Sequence, residues 1–148
     1  MKPVNVQTEI TICRPRDEVA IYAANPVNAP EWYVNIRSVE WQTQGPLAVG
    51  SRIAFKAKFL GRQLAYVYEI AEFVPGEKLV MRTADGPFPM ETTYTWKTTE
   101  DGQTLMTLRN AGQPSGFSGL FAPFMSGAMK KANQKDLALL KKILESTK

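Results

Sequence analysis

Residues 119–146 read GLFAPFMSGAMKKANQKDLALLKKILES. Leu120, Phe121, Phe124, Met125, Ala128, Met129, Leu137, Leu140, Ile143 and Leu144 recur at helical spacing, the mark of an amphipathic helix with one apolar face. A helix over 119–146 would be about 40 Å long. Pro123 either marks its true start, where a missing N–H does no harm, or introduces an early irregularity. The stretch just before it, Gly112 to Gly119, is rich in turn residues and reads as a mobile connection.

Upstream of this helix the period is two. Val4, Val6, Thr8, Ile10 and Ile12 share one face of a strand, and Asn5, Gln7, Glu9 and Thr11 the other. Pro15, followed by Asp17 and Glu18, starts a short helix that Asn25-Pro26 stops. A second short helical piece covers Ala29 to Val34. Six strands follow. The first is Ile36 to Thr43. In the second, Ile53, Phe55, Ala57 and Phe59 alternate with charged residues. The third carries Leu64, Tyr66, Tyr68 and Ile70 to about Val74; its apolar residues on both faces imply a bulge or a covered stretch. The fourth holds Leu79, Met81 and Thr83. The fifth has an inward set of Phe88, Met90, Thr92, Tyr94 and Trp96, and the last runs from Leu105 to about Ala111. Gly61-Arg62, Pro75-Gly76, Asp85-Gly86 and Asp101-Gly102 punctuate them; the last pair predicts a two-residue hairpin. The order is strand, two short helices, six strands, one long helix, an α+β domain over residues 1–148 in which a curved antiparallel sheet wraps the helix that covers it.

Composition excludes much chemistry. The 148 residues contain no histidine and one cysteine, Cys13. That removes histidine-dependent nucleophilic catalysis, histidine metal sites, an intrachain disulfide and a thiolate zinc cluster. No metal and no cofactor are expected. No apolar run approaches the roughly 18 residues of a membrane span. Met1 to Gln7 turns polar too early for a secretory signal, so a cytoplasmic protein is expected. The formal charge is +4. Its excess, at Lys130, Lys131, Lys135, Lys141, Lys142 and Lys148, reads as the solvated outer face of the last helix, and no nucleic-acid partner is expected.

The sequence resembles a known family. The opening strand is followed by Pro15-Arg16-Asp17-Glu18-Val19, Asn25-Pro26, Pro30-Glu31-Trp32, Val49-Gly50-Ser51, Val74-Pro75-Gly76-Glu77-Lys78-Leu79 and the long final helix. Their order and spacing are similar to the polyketide cyclase/dehydrase and lipid-transport group of the START-like, birch-pollen-allergen-like superfamily. The resemblance implies the helix-grip fold, seven antiparallel strands gripping the C-terminal helix around a deep apolar cavity. It does not imply one activity, because that group includes ligand-binding and lipid-transfer proteins, aromatase/cyclases and many proteins with no known ligand.

Fifteen residues are Phe, Tyr or Trp. Phe55, Phe59, Tyr66, Tyr68, Met81, Phe88, Met90 and Tyr94 from the sheet are candidates for a cavity wall. Phe117, Phe121, Phe124, Met125 and Met129 are candidates from the final helix and its approach, and Trp32 and Tyr33 for closing one end. Among polar candidates, Tyr66, Tyr68, Thr83, Thr92 and Tyr94 either hydrogen-bond a ligand or partner one another. Glu69, Glu72, Glu91 and Asp85 are the carboxylates considered as bases. Glu72, in phase with Ile70, is the one expected near the cavity mouth. Arg82 and Arg109 read as surface pairs and Cys13 as a buried or inert thiol. The segment 112–119 with Phe117, Phe121 and Phe124 is a candidate gate.

The expected role is binding of a hydrophobic small molecule, such as a lipid, isoprenoid or polyketide-like aromatic, by a monomer or homodimer with no integral membrane association. One alternative is a cyclase/dehydrase-type enzyme using tyrosine or carboxylate acid/base chemistry. Another is a stress-response or chaperone-activating interaction protein.

Overall fold

The computed structural model describes residues 4–59, 61–86, 89–112 and 122–146, with the side chains of 122–125 outside that description. Strand β1 (Val4–Ile12) leads into helix α1 (Arg16–Ala24). Pro15 caps α1 with extended backbone, and Asp17 and Glu18 occupy its first turn, where carboxylates oppose the positive end of the helix dipole. A 3₁₀ turn, Pro26–Asn28, then precedes α2 (Ala29–Trp32). The Asn25 side chain accepts from the Val27 N–H and starts that turn, a local bond that the alternation of apolar residues does not encode.

Six strands follow: β2 (Ile36–Trp41), β3 (Arg52–Phe59), β4 (Arg62–Val74), β5 (Lys78–Asp85), β6 (Met90–Thr98) and β7 (Thr104–Gly112). All pair antiparallel in one sheet ordered β1-β7-β6-β5-β4-β3-β2. Helix α3 (Ala122–Ser146) packs on this sheet. The seven-stranded curved sheet gripping a long helix is the helix-grip architecture.

Three details differ from the sequence reading. β2 stops at Trp41, although Gln42 N–H still donates to Arg52 O at 2.9 Å before the chain turns away. The β6–β7 connection is not a two-residue hairpin. Thr99 N–H donates to Gln103 O, and the Thr99 side chain accepts from Gln103 N–H, so five residues form the loop around Gly102. Cys13 is exposed; β1 has ended, and its backbone N–H is engaged by Glu145 at 2.7 Å.

The expected bulge in β4 is present, with register shifts at Val67/Tyr68 and Ile70/Glu72. The second shift reverses the facing of everything after Ile70. Phe73 therefore packs against the core, while Glu72 is exposed and pairs with Lys78 at 3.3 Å. Glu72 does not approach the cavity mouth. At the end of β4, Glu77 N–H donates to Val74 O across Pro75-Gly76, and Gly76 has φ +80°, a conformation that glycine adopts without steric cost.

The main core lies between the concave face and the helices. Ile12, Ile53, Ile70, Leu79, Met106 and Leu108 of the sheet meet Leu137, Leu140 and Leu144 of α3. Lys130, Lys131, Lys135 and Lys142 are on the exposed side of α3. Lys141 ties its C-terminal half to the sheet, donating to Thr11 O at 2.8 Å while pairing with Glu145. Among the described residues no helix is long and apolar enough to cross a membrane.

Leu140 is 0% exposed, so Leu140→Ala loses both transfer energy and packing. It is expected to lower unfolding stability in urea by about 2–5 kcal/mol. Ile21→Ser, at a site 73% exposed, is expected to change it by less than about 0.5 kcal/mol.

Candidate functional site: a cavity between the sheet and the last helix

Around Met129, Ala132, Asn133 and Asp136, α3 does not fill the concavity. A cavity of about 130 Å³ remains between it, the sheet and the α1–α2 region. The sheet contributes its inner alternation: Phe55 and Phe59 on β3, Tyr66 and Tyr68 on β4, Met81 and Thr83 on β5, Met90, Thr92 and Tyr94 on β6. Met129 contributes from α3. These ten residues are wall candidates from the sequence, and the pleat brings the strand residues together because each occupies the inward phase of its strand.

Trp32 is 0% exposed and does not line the cavity. It packs behind Tyr33 and Tyr94, with ring centroids 4.2 and 5.7 Å away, and Tyr33 reaches the wall instead. Phe88, Phe117 and Phe121 lie outside the described residues, as do the side chains of Phe124 and Met125 and the body of the candidate gate, residues 113–119.

Most of the polar wall is internally satisfied. Thr92 Oγ1 donates to Asn110 Oδ1 at 2.6 Å, which leaves its lone pairs for the Tyr68 hydroxyl at 2.8 Å. Tyr33 and Tyr94 hydrogen-bond to each other through their hydroxyls. Thr83 Oγ1 donates to Met90 O at 3.1 Å and accepts from Met90 N–H at 2.9 Å, closing the end of the β5–β6 ladder. The Tyr66 hydroxyl has no hydrogen-bond partner among the described residues; its ring stacks on Phe55 at 5.5 Å. Burial pushes the Tyr68 phenol up to about 12 and holds Tyr33, Tyr66 and Tyr94 well above the usual phenol range.

The carboxylates considered from the sequence are elsewhere. Glu69 pairs with Arg52 at 2.9 Å, Glu91 with Arg82 at 2.7 Å, and Asp85 is exposed. Arg109 donates to Asn5 Oδ1. The carboxylate that does line the cavity is Asp136 on α3, 2% exposed, so a reading that looks for acids only at the cavity mouth is wrong. Asp136 shares the inward face with Met129, Asn133, Leu137 and Leu140. Its three- and four-residue spacing from those neighbours is the signal in the sequence, and attention to strand carboxylates alone misses it. Asn110, inward on β7 in phase with Met106 and Leu108, is missed for a similar reason.

Asp136 Oδ1 accepts from Val34 N–H at 2.9 Å, joining α3 to the segment after α2. Burial raises its carboxyl from the ordinary value of 3.8 to about 7, and the Val34 bond offsets this only in part. No group of three or more potential metal ligands is found among the described residues.

A seven-stranded sheet gripping a C-terminal helix over a cavity lined mainly by apolar side chains is the helix-grip architecture. The family model described as polyketide cyclase/dehydrase and lipid transport matches residues 3–145, and the chain belongs to that family. No curated protein sequence matches it. Solved structures share the fold at low identity. One is the Thermus thermophilus protein TTHA0849, at TM-score 0.81 and 18% identity, covering 97% of this chain and 99% of that one. The Zhui aromatase/cyclase of Streptomyces sp. R1128 has TM-score 0.81 and 14% identity, with 97% and 94% covered. A START superfamily protein of Mycobacterium smegmatis has TM-score 0.82 and 10% identity, with 96% and 97% covered.

Because folding raises the Asp136 pKa, the native state holds a proton that the unfolded chain releases. This favours the fold below about pH 4, and the advantage is lost as pH rises through about 7. Asp136→Asn keeps an oxygen for Val34 and removes the charge. It is expected to gain stability over the parent progressively between about pH 4 and pH 8, by a few kcal/mol at the upper end. Urea unfolding at several pH values checks this.

Proposed function

We propose that this protein binds a hydrophobic small molecule in the cavity under α3. The observation that carries the reading is a cavity walled mainly by aromatic, methionine and aliphatic side chains from the sheet, the α1–α2 region and α3. Burial of a ligand there contributes about 25 cal/mol per Å² of apolar area before ordering costs are subtracted. A volume of about 130 Å³ suits a compact ring system or short isoprenoid better than an extended acyl chain, since a cavity of roughly this size accommodates one benzene ring. The family description names both cyclases and lipid transport, and either role begins with such a binding step.

Small molecules carried by the purified protein are to be identified by mass spectrometry. A compact, largely apolar molecule is expected, and it is expected to be lost from Ala132→Phe, which places a ring in the cavity from α3. Nothing co-purifying, together with equal binding of the neutral dye N-phenyl-1-naphthylamine by parent and variant, sinks the reading.

A specific observation also favours a second reading, a cyclase/dehydrase-type enzyme. Asp136 is a cavity carboxyl poised near neutrality, and Tyr33, Tyr66 and Tyr94 lie within its electrostatic reach. A carboxyl with a pKa near the working pH is suited to general acid/base proton transfer. With the co-purified molecule or its precursor as substrate, Asp136→Asn is expected to lower kcat by about 100-fold or more while KM changes little. Turnover unaffected by the substitution leaves binding alone.

A further inference from the structure

The choice of ligand, given the binding reading above, turns on two polar side chains that helix α3 brings to the cavity wall. They are Asn133 and Asp136, one turn apart and at 4% and 2% exposure. Asp136 is held in place, because turning away would break the bond from Val34 N–H to Oδ1. Its second oxygen has no hydrogen-bond partner among the described residues. The Nδ2 of Asn133 is likewise buried without a partner. No lysine or arginine lines the cavity among the described residues.

The titratable groups facing Asp136 from the other elements are phenols: Tyr33 after α2, Tyr66 on β4 and Tyr94 on β6. Burial keeps all three protonated at neutral pH, and Tyr33 and Tyr94 are engaged with each other. The unmet hydrogen-bonding capacity on this face of α3 is therefore the second oxygen of Asp136 and the side-chain amide of Asn133. Side chains three apart on a helix are near neighbours. Buried polar groups without partners are costly, and a ligand that supplies both partners recovers that cost on binding.

A hydroxyl group donates one hydrogen and accepts through its oxygen. An ether or ketone only accepts, and a carboxylate brings a negative charge to a site with no cation. We propose that the cavity takes a small uncharged ring-bearing alcohol or phenol, whose hydroxyl donates to the free oxygen of Asp136 and accepts from the Asn133 amide.

The test compares 4-ethylphenol with its methyl ether, 4-ethylanisole, with ethylbenzene, and with 4-ethylbenzoate, by NMR titration of the full chain at about pH 8. Phenols ionise near 10, so 4-ethylphenol stays neutral there. It is expected to bind about tenfold or more tightly than the ether, because a hydrogen bond to a buried carboxylate is among the stronger neutral–charged kind. The benzoate is expected to bind at least tenfold more weakly than the phenol. In Asp136→Asn, the Asn oxygen keeps the Val34 bond and an NH₂ donor faces the cavity, so the preference for phenol over ether disappears or inverts.

Equal binding of phenol and ether by the parent protein, or an unchanged preference in Asp136→Asn, overturns the inference and leaves apolar binding standing. If none of the four probes shifts cavity resonances, the binding reading falls and takes the inference with it. Should Asp136→Asn not fold, the parent protein at about pH 5 replaces it. There Asp136 is protonated and donates to an ether, so the preference is expected to shrink severalfold, and an undiminished preference overturns the assignment.

Discussion

A sheet of seven strands with neighbours about 4.8 Å apart is roughly 29 Å across, whereas one helix with its side chains is about 10–12 Å wide. The concave face must nevertheless be kept from water by α3, with some help from α1 and α2. Curvature lets the sheet meet the helix along the lower half, where Leu137, Leu140 and Leu144 pack against strand residues. Toward the other end the inward side chains of α3 become Asn133 and Met129 beside Ala132, and they leave space. The cavity is thus a consequence of covering a wide sheet with one narrow element whose apolar face changes character along its length.

The polar groups around that space fall into two sets. Tyr68, Thr92 and Asn110 form a hydrogen-bonded chain, and Tyr33 and Tyr94 bond to each other through their hydroxyls. Such networks hold strands and connections in place, and the hydroxyls of Tyr68 and Thr92 are engaged within them. Asp136, Asn133 and Tyr66 retain unmet capacity. A half-satisfied carboxyl in an apolar space weakens the fold at neutral pH and above, where it is charged. The Val34 N–H limits that cost and fixes the direction in which the remaining oxygen points. The same bond joins α3 to the segment carrying Tyr33, so the electrostatics of the site and the closure of its end share one contact.

Period-two alternation made most of the wall legible in advance. It placed Phe55, Tyr66, Tyr68, Met81, Thr92 and Tyr94 on one face because a pleated strand permits only two facings. The same rule failed at Glu72, where a bulge between Ile70 and Glu72 inserts a residue and reverses the phase. It also failed to separate Trp32 from Tyr33, since a four-residue helix has no period long enough to say which ring reaches the cavity and which packs behind it. Asp136 was readable in principle from its step of seven after Met129 and four before Leu140. Counting apolar positions on a helix hides an acid that stands among them.

The amino-acid sequence by itself determined the order of elements, the inward set of the strands except beyond the bulge in β4, and the exclusion of histidine and thiolate-cluster chemistry, because these follow from local periodicity and composition. Tertiary structure alone decided that the helix leaves a cavity, that Tyr68, Thr92 and Asn110 spend their hydrogen bonds on one another, and that a carboxyl from α3 stands opposite phenols from β4 and β6. Those outcomes depend on pairs far apart in the chain, such as Val34 with Asp136, whose meeting is set by how the sheet curves and where the helix rests on it.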